Sequence, residues 1–68
     1  MDIFKVVWSA AGGEVNYTEV DWTRDEAKVT EAITRLTKGP GRFIVEDVKV
    51  VNGLDELLWH WRMGKIQF

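Results

Sequence analysis

Residues 23–41 read TRDEAKVTEAITRLTKGPG, and the fold follows from this stretch because it encodes a helix with a marked start and end. Thr23 and Glu26 have the capping-box spacing, in which each side chain bonds the backbone amide of the other. Apolar residues then recur at helical spacing, at Val29, Ala32, Ile33 and Leu36. Gly39 suits the left-handed position after a helix, and Pro40 cannot continue one. The stretch predicts an amphipathic helix from about Arg24 to Lys38.

The residues before the helix predict a β-hairpin. Ile3 to Trp8 is rich in β-branched and aromatic residues, and Glu14 to Trp22 forms a second run of this kind. Gly12-Gly13 separates the two runs and is typical of a hairpin turn. The apolar alternation of the second run changes phase near Thr18-Glu19, which predicts a β-bulge at that point.

A third strand is predicted after the helix, from Arg42 to Val51, where β-branched and aromatic residues dominate. Its alternation also changes phase, near Glu46-Asp47, and this predicts a second bulge or a sharp bend. The two carboxylates are adjacent along a strand, so their side chains point to opposite faces. We therefore do not expect Glu46 and Asp47 to form a catalytic or metal-binding pair.

Residues 54–63, LDELLWHWRM, fit two secondary structures. Helical spacing joins Leu54, Leu57, Leu58 and Trp61, and the acids at 55 and 56 suit a first helical turn. Strand alternation instead joins Leu57, Trp59, Trp61 and Met63. We favour a short helix from about Leu54 to Met63, which would place Trp61 in the core and Trp59 outside it. In a strand, Trp59 and Trp61 would share one face.

These elements predict one small α+β domain covering residues 1–68. It consists of an N-terminal β-hairpin, one amphipathic helix packed on an antiparallel sheet, a third strand, and a short C-terminal helix or a further strand. A chain of this size buries only about 60% of its unfolded surface. The sequence has four tryptophans and no cysteine, so aromatic packing must supply the stability that disulfides or thiolate metal sites give other small domains.

Composition argues against several functional classes. The chain contains one serine, Ser9, and one histidine, His60, in no recognisable catalytic motif, so we expect no enzyme and no catalytic residues. A lone histidine without cysteine cannot complete a zinc site, and we expect no metal and no cofactor. The sequence has no signal-peptide pattern and no apolar run of membrane-spanning length, which favours a cytoplasmic protein without membrane contact.

The functional prediction rests on the last ten residues, 59–68. They contain paired tryptophans, the histidine and two bases, which are residue types that dominate binding energy at protein interfaces. We predict a non-catalytic protein-interaction module that regulates or inhibits a host protein. A phage or mobile element would encode it. Homodimerisation through the same residues is a subcase. The predicted partner-binding residues are Trp59, His60, Arg62, Lys65 and Phe68.

The alternative function is binding of single-stranded nucleic acid. Aromatic side chains would stack on bases while Lys38, Arg42, Lys49, Arg62 and Lys65 follow the phosphate backbone. The formal charge of -2 and the pI near 5.2 argue against this alternative, because nucleic-acid binders usually carry a basic surface. We therefore expect a protein partner rather than nucleic acid.

Overall fold

The computed structural model describes residues 2–12 and 15–66, and in these residues it contains five strands, one α-helix and one 3-10 helix. The strands form a single antiparallel sheet in the order β2-β1-β3-β4-β5. The elements are β1 (Phe4–Ala10), β2 (Asn16–Thr23), α1 (Glu26–Lys38), the 3-10 helix (Arg42–Ile44), β3 (Val45–Asn52), β4 (Leu57–Arg62) and β5 (Lys65–Ile66). The predicted α+β class is confirmed. No helix among the described residues is long and apolar enough to cross a membrane.

One side of the sheet carries the core. Strand alternation places Val6, Val48 and Val50 on that side, where they are buried against Ala32 and Leu36 of α1. The helix packs mainly against β1, β2, β3 and the 3-10 helix, which leaves the same side of β4 and β5 largely uncovered. The other side of the sheet, here called the open face, bears Lys5, Val7, Asp47, Lys49, His60 and Arg62.

The two ends of α1 differ from the predicted caps. Asp25, and not Thr23, is the N-cap, because its Oδ1 accepts a hydrogen bond of 3.0 Å from the Ala27 amide. Thr23 Oγ1 accepts a hydrogen bond from the amide of Asp25, which precedes the Glu26 amide of the predicted capping box by one residue. Gly39 has extended backbone, with φ −77°, so it is not left-handed. A Cβ at position 39 would lie 2.3 Å from the Arg35 carbonyl oxygen, and close approach is therefore the reason for glycine here.

Both predicted bulges are confirmed. Between β1 and β2, Val6 pairs with Val20 while Val7 pairs with Thr18, so Glu19 has no opposing residue on β1. The Glu19 carboxylate accepts hydrogen bonds from Trp8 Nε1 at 3.2 Å and from the Arg35 guanidinium at 2.6 and 2.9 Å. Glu19 at the bulge therefore connects β2 to α1 through its hydrogen bonds with Arg35.

The second bulge lies between β1 and β3. Ser9 pairs with Asp47 and Ala10 pairs with Val45, which leaves Glu46 as the additional residue. Because of this extra residue, Val45 and Val48 both reach the buried side of the sheet, although they are three positions apart.

The helix predicted over residues 54–63 is wrong, and the strand alternative is observed. β4 pairs with β3 in antiparallel register, with Trp59 opposite Val50 and Trp61 opposite Val48. Asn52 organises the turn, because its Oδ1 accepts from the amides of Leu54 at 2.9 Å and Glu56 at 3.0 Å. A helix here would leave the backbone groups of β3 unpaired along a long edge, and this cost outweighs the local helical propensity.

Candidate functional site

Trp59 and Trp61 lie on the side of the sheet that α1 covers. Both pair with buried valines of β3 and pack against the core, but each stays partly exposed because the helix does not extend over β4. Ile66 of β5 pairs with Trp61 and therefore faces the same side. This end of the sheet thus presents an apolar surface that the chain itself covers incompletely.

A groove opens where this surface meets the C-terminal end of α1. Its volume is about 550 Å³, and its lining includes Thr37 of α1, Phe43 of the 3-10 helix, Val45, Trp61 and Met63. We call it the end groove. Trp61 is the largest residue of its lining and belongs at the same time to the packed core. The groove is therefore continuous with the packed core.

Three large apolar side chains stand exposed around the end groove. Phe43 is 78% exposed, Met63 is 71% exposed and Ile66 is 67% exposed. Large apolar side chains that cluster at the surface of a small protein are typical of an interaction site, whereas scattered ones need no explanation.

Ordered backbone holds this rim in place. The Arg42 guanidinium lies 4.2 Å from the centre of the Phe43 ring, and its Nη1 donates to the Gly39 carbonyl at 3.4 Å. Met63 has a positive φ of 49°, and its amide donates to the Glu46 carbonyl at 2.8 Å. The rim side chains are thus presented by defined turns at the end of the sheet.

Among the described residues, one base and one acid, Arg42 and Glu46, line the end groove, and three further bases lie near it. Lys38 ends α1, Arg42 lines the groove, and two further bases, Arg62 and Lys65, flank the turn at Met63. The acid of this region, Glu46, lies 3.6 Å from Arg62 and is neutralised by it. Arg62 and Lys65 lie on the open face, so the lining of the end groove carries no excess of positive charge.

The open face has a different character. Asp47 and His60 are hydrogen-bonded through Oδ1 and Nε2, and both side chains are only about 15% exposed. Lys49 places its Nζ 3.6 Å from the second oxygen of Asp47. At the far side of the same face, the Lys5 ammonium lies 5.4 Å from the centre of the Trp22 ring.

Ser9 and His60 do not form a catalytic arrangement in this geometry. Ser9 pairs with Asp47 across β1 and β3, and His60 Nε2 is bound to that same carboxylate. In a serine-hydrolase triad the histidine lies between serine and carboxylate, whereas here the carboxylate lies between the other two. Within residues 2–12 and 15–66, no group of three or more His, Cys, Asp or Glu side chains is placed to hold a metal ion.

The structure separates the predicted partner-binding residues. Trp59 lies on the helix side, whereas His60 and Arg62 belong to the open face, and Lys65 pairs with Arg62 at the edge. Phe68 lies outside the described residues. A partner that contacts Trp59 therefore meets a different surface from one that contacts His60, and binding through these residues stays a prediction.

Sequence reasoning missed the exposed rim of the end groove. The sequence predicts Phe43 in the third strand, but it lies in a 3-10 turn and its side chain is exposed. Met63 was assigned to the end of a helix. Comparisons with family models, with curated proteins and with solved structures find no match for this chain.

Proposed function

We propose that this chain is a non-catalytic protein-interaction module that binds a partner protein through the end groove. One observation carries the proposal: Phe43 and Met63 stand exposed in the lining of an apolar groove that contains Trp61, and Ile66 stands exposed opposite Trp61 on β5. A small folded chain with such a surface acts by occupying a site on its partner, which is the mode of small regulators and inhibitors. An origin in a phage or mobile element stays a prediction.

Energetics indicate how tight such binding would be. Burial of a large apolar side chain contributes about 1.5–3 kcal/mol, so three rim side chains supply roughly 4.5–9 kcal/mol before losses. Association itself costs about 4–15 kcal/mol in lost translational and rotational freedom. The apolar rim is therefore sufficient for weak binding only, and tight binding requires contacts with Trp61 as well.

Substitution of the rim tests the proposal. The double variant Phe43→Ser/Met63→Ser should retain the wild-type unfolding midpoint, because both side chains are exposed. It should capture at least about tenfold less partner from an extract of the native host, which corresponds to about 1.4 kcal/mol. Leu54→Ser is the matched control, since Leu54 is 80% exposed but lies in the turn at the opposite end of β4.

Two measurements locate the interface and distinguish a homodimer from a complex with another protein. Equal capture by the double variant and by Leu54→Ser would place the interface away from the end groove. Light scattering on the purified wild type separates a second copy of the chain from a different partner, because a homodimer through the groove would dissociate in the double variant.

A second candidate function rests on the open face. Lys5, Lys49 and Arg62 share this face with Trp22 and His60, and cations beside ring faces are the elements of single-strand binding. Asp47 reduces the positive excess, because its carboxylate lies 3.6 Å from Lys49 Nζ and is hydrogen-bonded to His60. We rank this function below protein binding for that reason.

Salt titration with a labelled thymidine oligonucleotide tests the second candidate. With three phosphate contacts, a plot of the logarithm of the association constant against the logarithm of the salt concentration should have a slope of about −2. The double variant Lys5→Ala/Arg62→Ala retains one contact, so its slope should be about −0.7. Arg35→Ala is the control, because Arg35 is a base bound to Glu19 on the helix side. Absence of binding at low salt would eliminate this function.

A further inference from the structure

The end groove has the properties of one half of a two-fold symmetric interface. In such an interface both copies use the same surface patch, so every feature of the patch must find its complement within the patch. The end groove combines a hollow of about 550 Å³ with Phe43, an aromatic side chain of its lining that is 78% exposed. An aromatic side chain that fills a pocket of the partner is the typical anchor of a protein interface. Phe43 of one copy therefore has a matching hollow on the other.

The charges of the lining are also self-complementary. Within the part of the chain that the structure describes, Arg42 and Glu46 are the charged residues of the lining. A two-fold axis between them brings Arg42 of each copy to Glu46 of the other, which gives two equivalent ion pairs. A partner with only acids or only bases at this surface would leave one of the two side chains facing a like charge. A second copy avoids this mismatch.

Both charged side chains retain bonding capacity for a partner. The Glu46 carboxylate lies 3.6 Å from Arg62 Nη2, which is longer than a direct hydrogen bond of about 2.7–3.2 Å, and the Glu46 side chain is 24% exposed. Arg42 is exposed, and its Nη1 donates to the Gly39 carbonyl, which leaves further N–H donors on the same guanidinium. Each group can therefore form a charge-assisted hydrogen bond across an interface without losing its bonds within the chain.

The apolar area at the groove is sufficient for a dimer. Phe43, Met63 and Ile66 together expose roughly 300–400 Å² per copy, at about 150 Å² or more for a fully exposed side chain. Because about 60% of an interface is apolar, the whole contact covers roughly 500–650 Å² per copy. The total of roughly 1,000–1,300 Å² reaches the lower end of specific interfaces and exceeds the roughly 800 Å² of most crystal-packing contacts. We expect a reversible dimer with a dissociation constant in the micromolar range.

We propose that the partner at the end groove is a second copy of the chain. The two copies form a two-fold symmetric dimer, in which Phe43 of each copy enters the groove of the other and Arg42 pairs with Glu46. This inference rests on the proposed function, because it names the partner of the same surface. An interface of this symmetry closes after two copies, so assembly stops at the dimer.

Charge exchange tests the dimer. In sedimentation equilibrium, the wild-type mass should rise from 7.9 kDa towards twice that value over a micromolar concentration series. Arg42→Glu places acid against acid at both ion pairs, and Glu46→Arg places base against base, so each variant should raise the dissociation constant at least about tenfold. An equimolar mixture of the two variants should dimerise with affinity close to that of the wild type, because every acid then meets a base. The double variant Arg42→Glu/Glu46→Arg should dimerise alone for the same reason.

Arg24→Glu and Glu31→Arg are the matched controls. Both positions are exposed, Arg24 just before α1 and Glu31 within it, and the substitutions make the same charge changes away from the groove. Each control should dimerise as strongly as the wild type, alone and in a mixture. Loss and rescue that are confined to the groove variants exclude a general effect of net charge.

A wild type that keeps the monomer mass throughout would overturn the inference. So would wild-type dimerisation of Arg42→Glu and Glu46→Arg, or failure of their folded mixture to dimerise. If either charge variant does not fold by circular dichroism, Phe43→Ser/Met63→Ser decides the question, because it must be monomeric. The proposed function fails separately: it is wrong if Phe43→Ser/Met63→Ser still captures the native partner. If that capture is lost while the purified wild type is monomeric, the interaction module stands and its partner is a different protein.

Discussion

Trp61→Ala is expected to lower the free energy of unfolding by about 2–3 kcal/mol and to abolish binding at the end groove. Trp61 packs against the core from β4 and also lines the groove, so one side chain serves both roles. Its partial exposure keeps the loss below the roughly 3–5 kcal/mol of a fully buried tryptophan. For a domain of 68 residues, total stability is roughly 3–10 kcal/mol, so this loss removes a large fraction of it.

Urea denaturation followed by circular dichroism measures this effect without relying on tryptophan fluorescence. Trp61→Phe is the control, since it retains an aromatic ring in the same strand and should cost about 1 kcal/mol. The variant with phenylalanine should still capture the partner from an extract of the native host, with reduced yield. Unchanged stability in Trp61→Ala would show that Trp61 acts at the surface alone and that the core does not depend on β4.

Ala32→Leu is expected to destabilise the domain by about 2 kcal/mol. Ala32 has no exposed surface, and it faces Val6 and Val48, which are also completely buried. A larger side chain at this point would force α1 away from the sheet, because well-packed cores do not have room for extra methylene groups. The separation would also loosen the bonds from Arg35 to Glu19.

Ala27→Leu provides the comparison for this substitution. Ala27 belongs to the same helix but is exposed, so the identical change should alter stability by less than about 0.5 kcal/mol. Thermal unfolding of both variants gives the difference directly. A stabilised Ala32→Leu variant would mean that the helix and the sheet enclose unfilled space beneath residue 32.

Local patterns in the sequence were sufficient for the hairpin, the helix and both bulges. The phase changes near Glu19 and Glu46 are visible as breaks in alternation, because a bulge shifts every later side chain to the other face. The caps were less predictable. Thr23 and Asp25 are both good N-caps, and the choice between them depends on where β2 ends.

The candidate site was predictable only in part. The tryptophans of β4 were identified as important, but their common face depends on pairing with β3, a contact between distant residues that outweighs local helical spacing. The outward direction of Phe43 depends on a turn of three residues at Arg42–Ile44. The helix side of β4 stays partly uncovered because α1 lies over β1, β2 and β3, and no local pattern encodes that position.

The bulge at Glu19 has a consequence for behaviour at high concentration. β2 is an edge strand of eight residues, and a regular edge of this length is a template for addition of strands from other molecules. Two register shifts with β1 distort β2, and the Glu19 carboxylate is held on the helix side by Arg35. These irregularities make β2 a poor template, so the chain can display an apolar groove at one end without growing into fibres from the other.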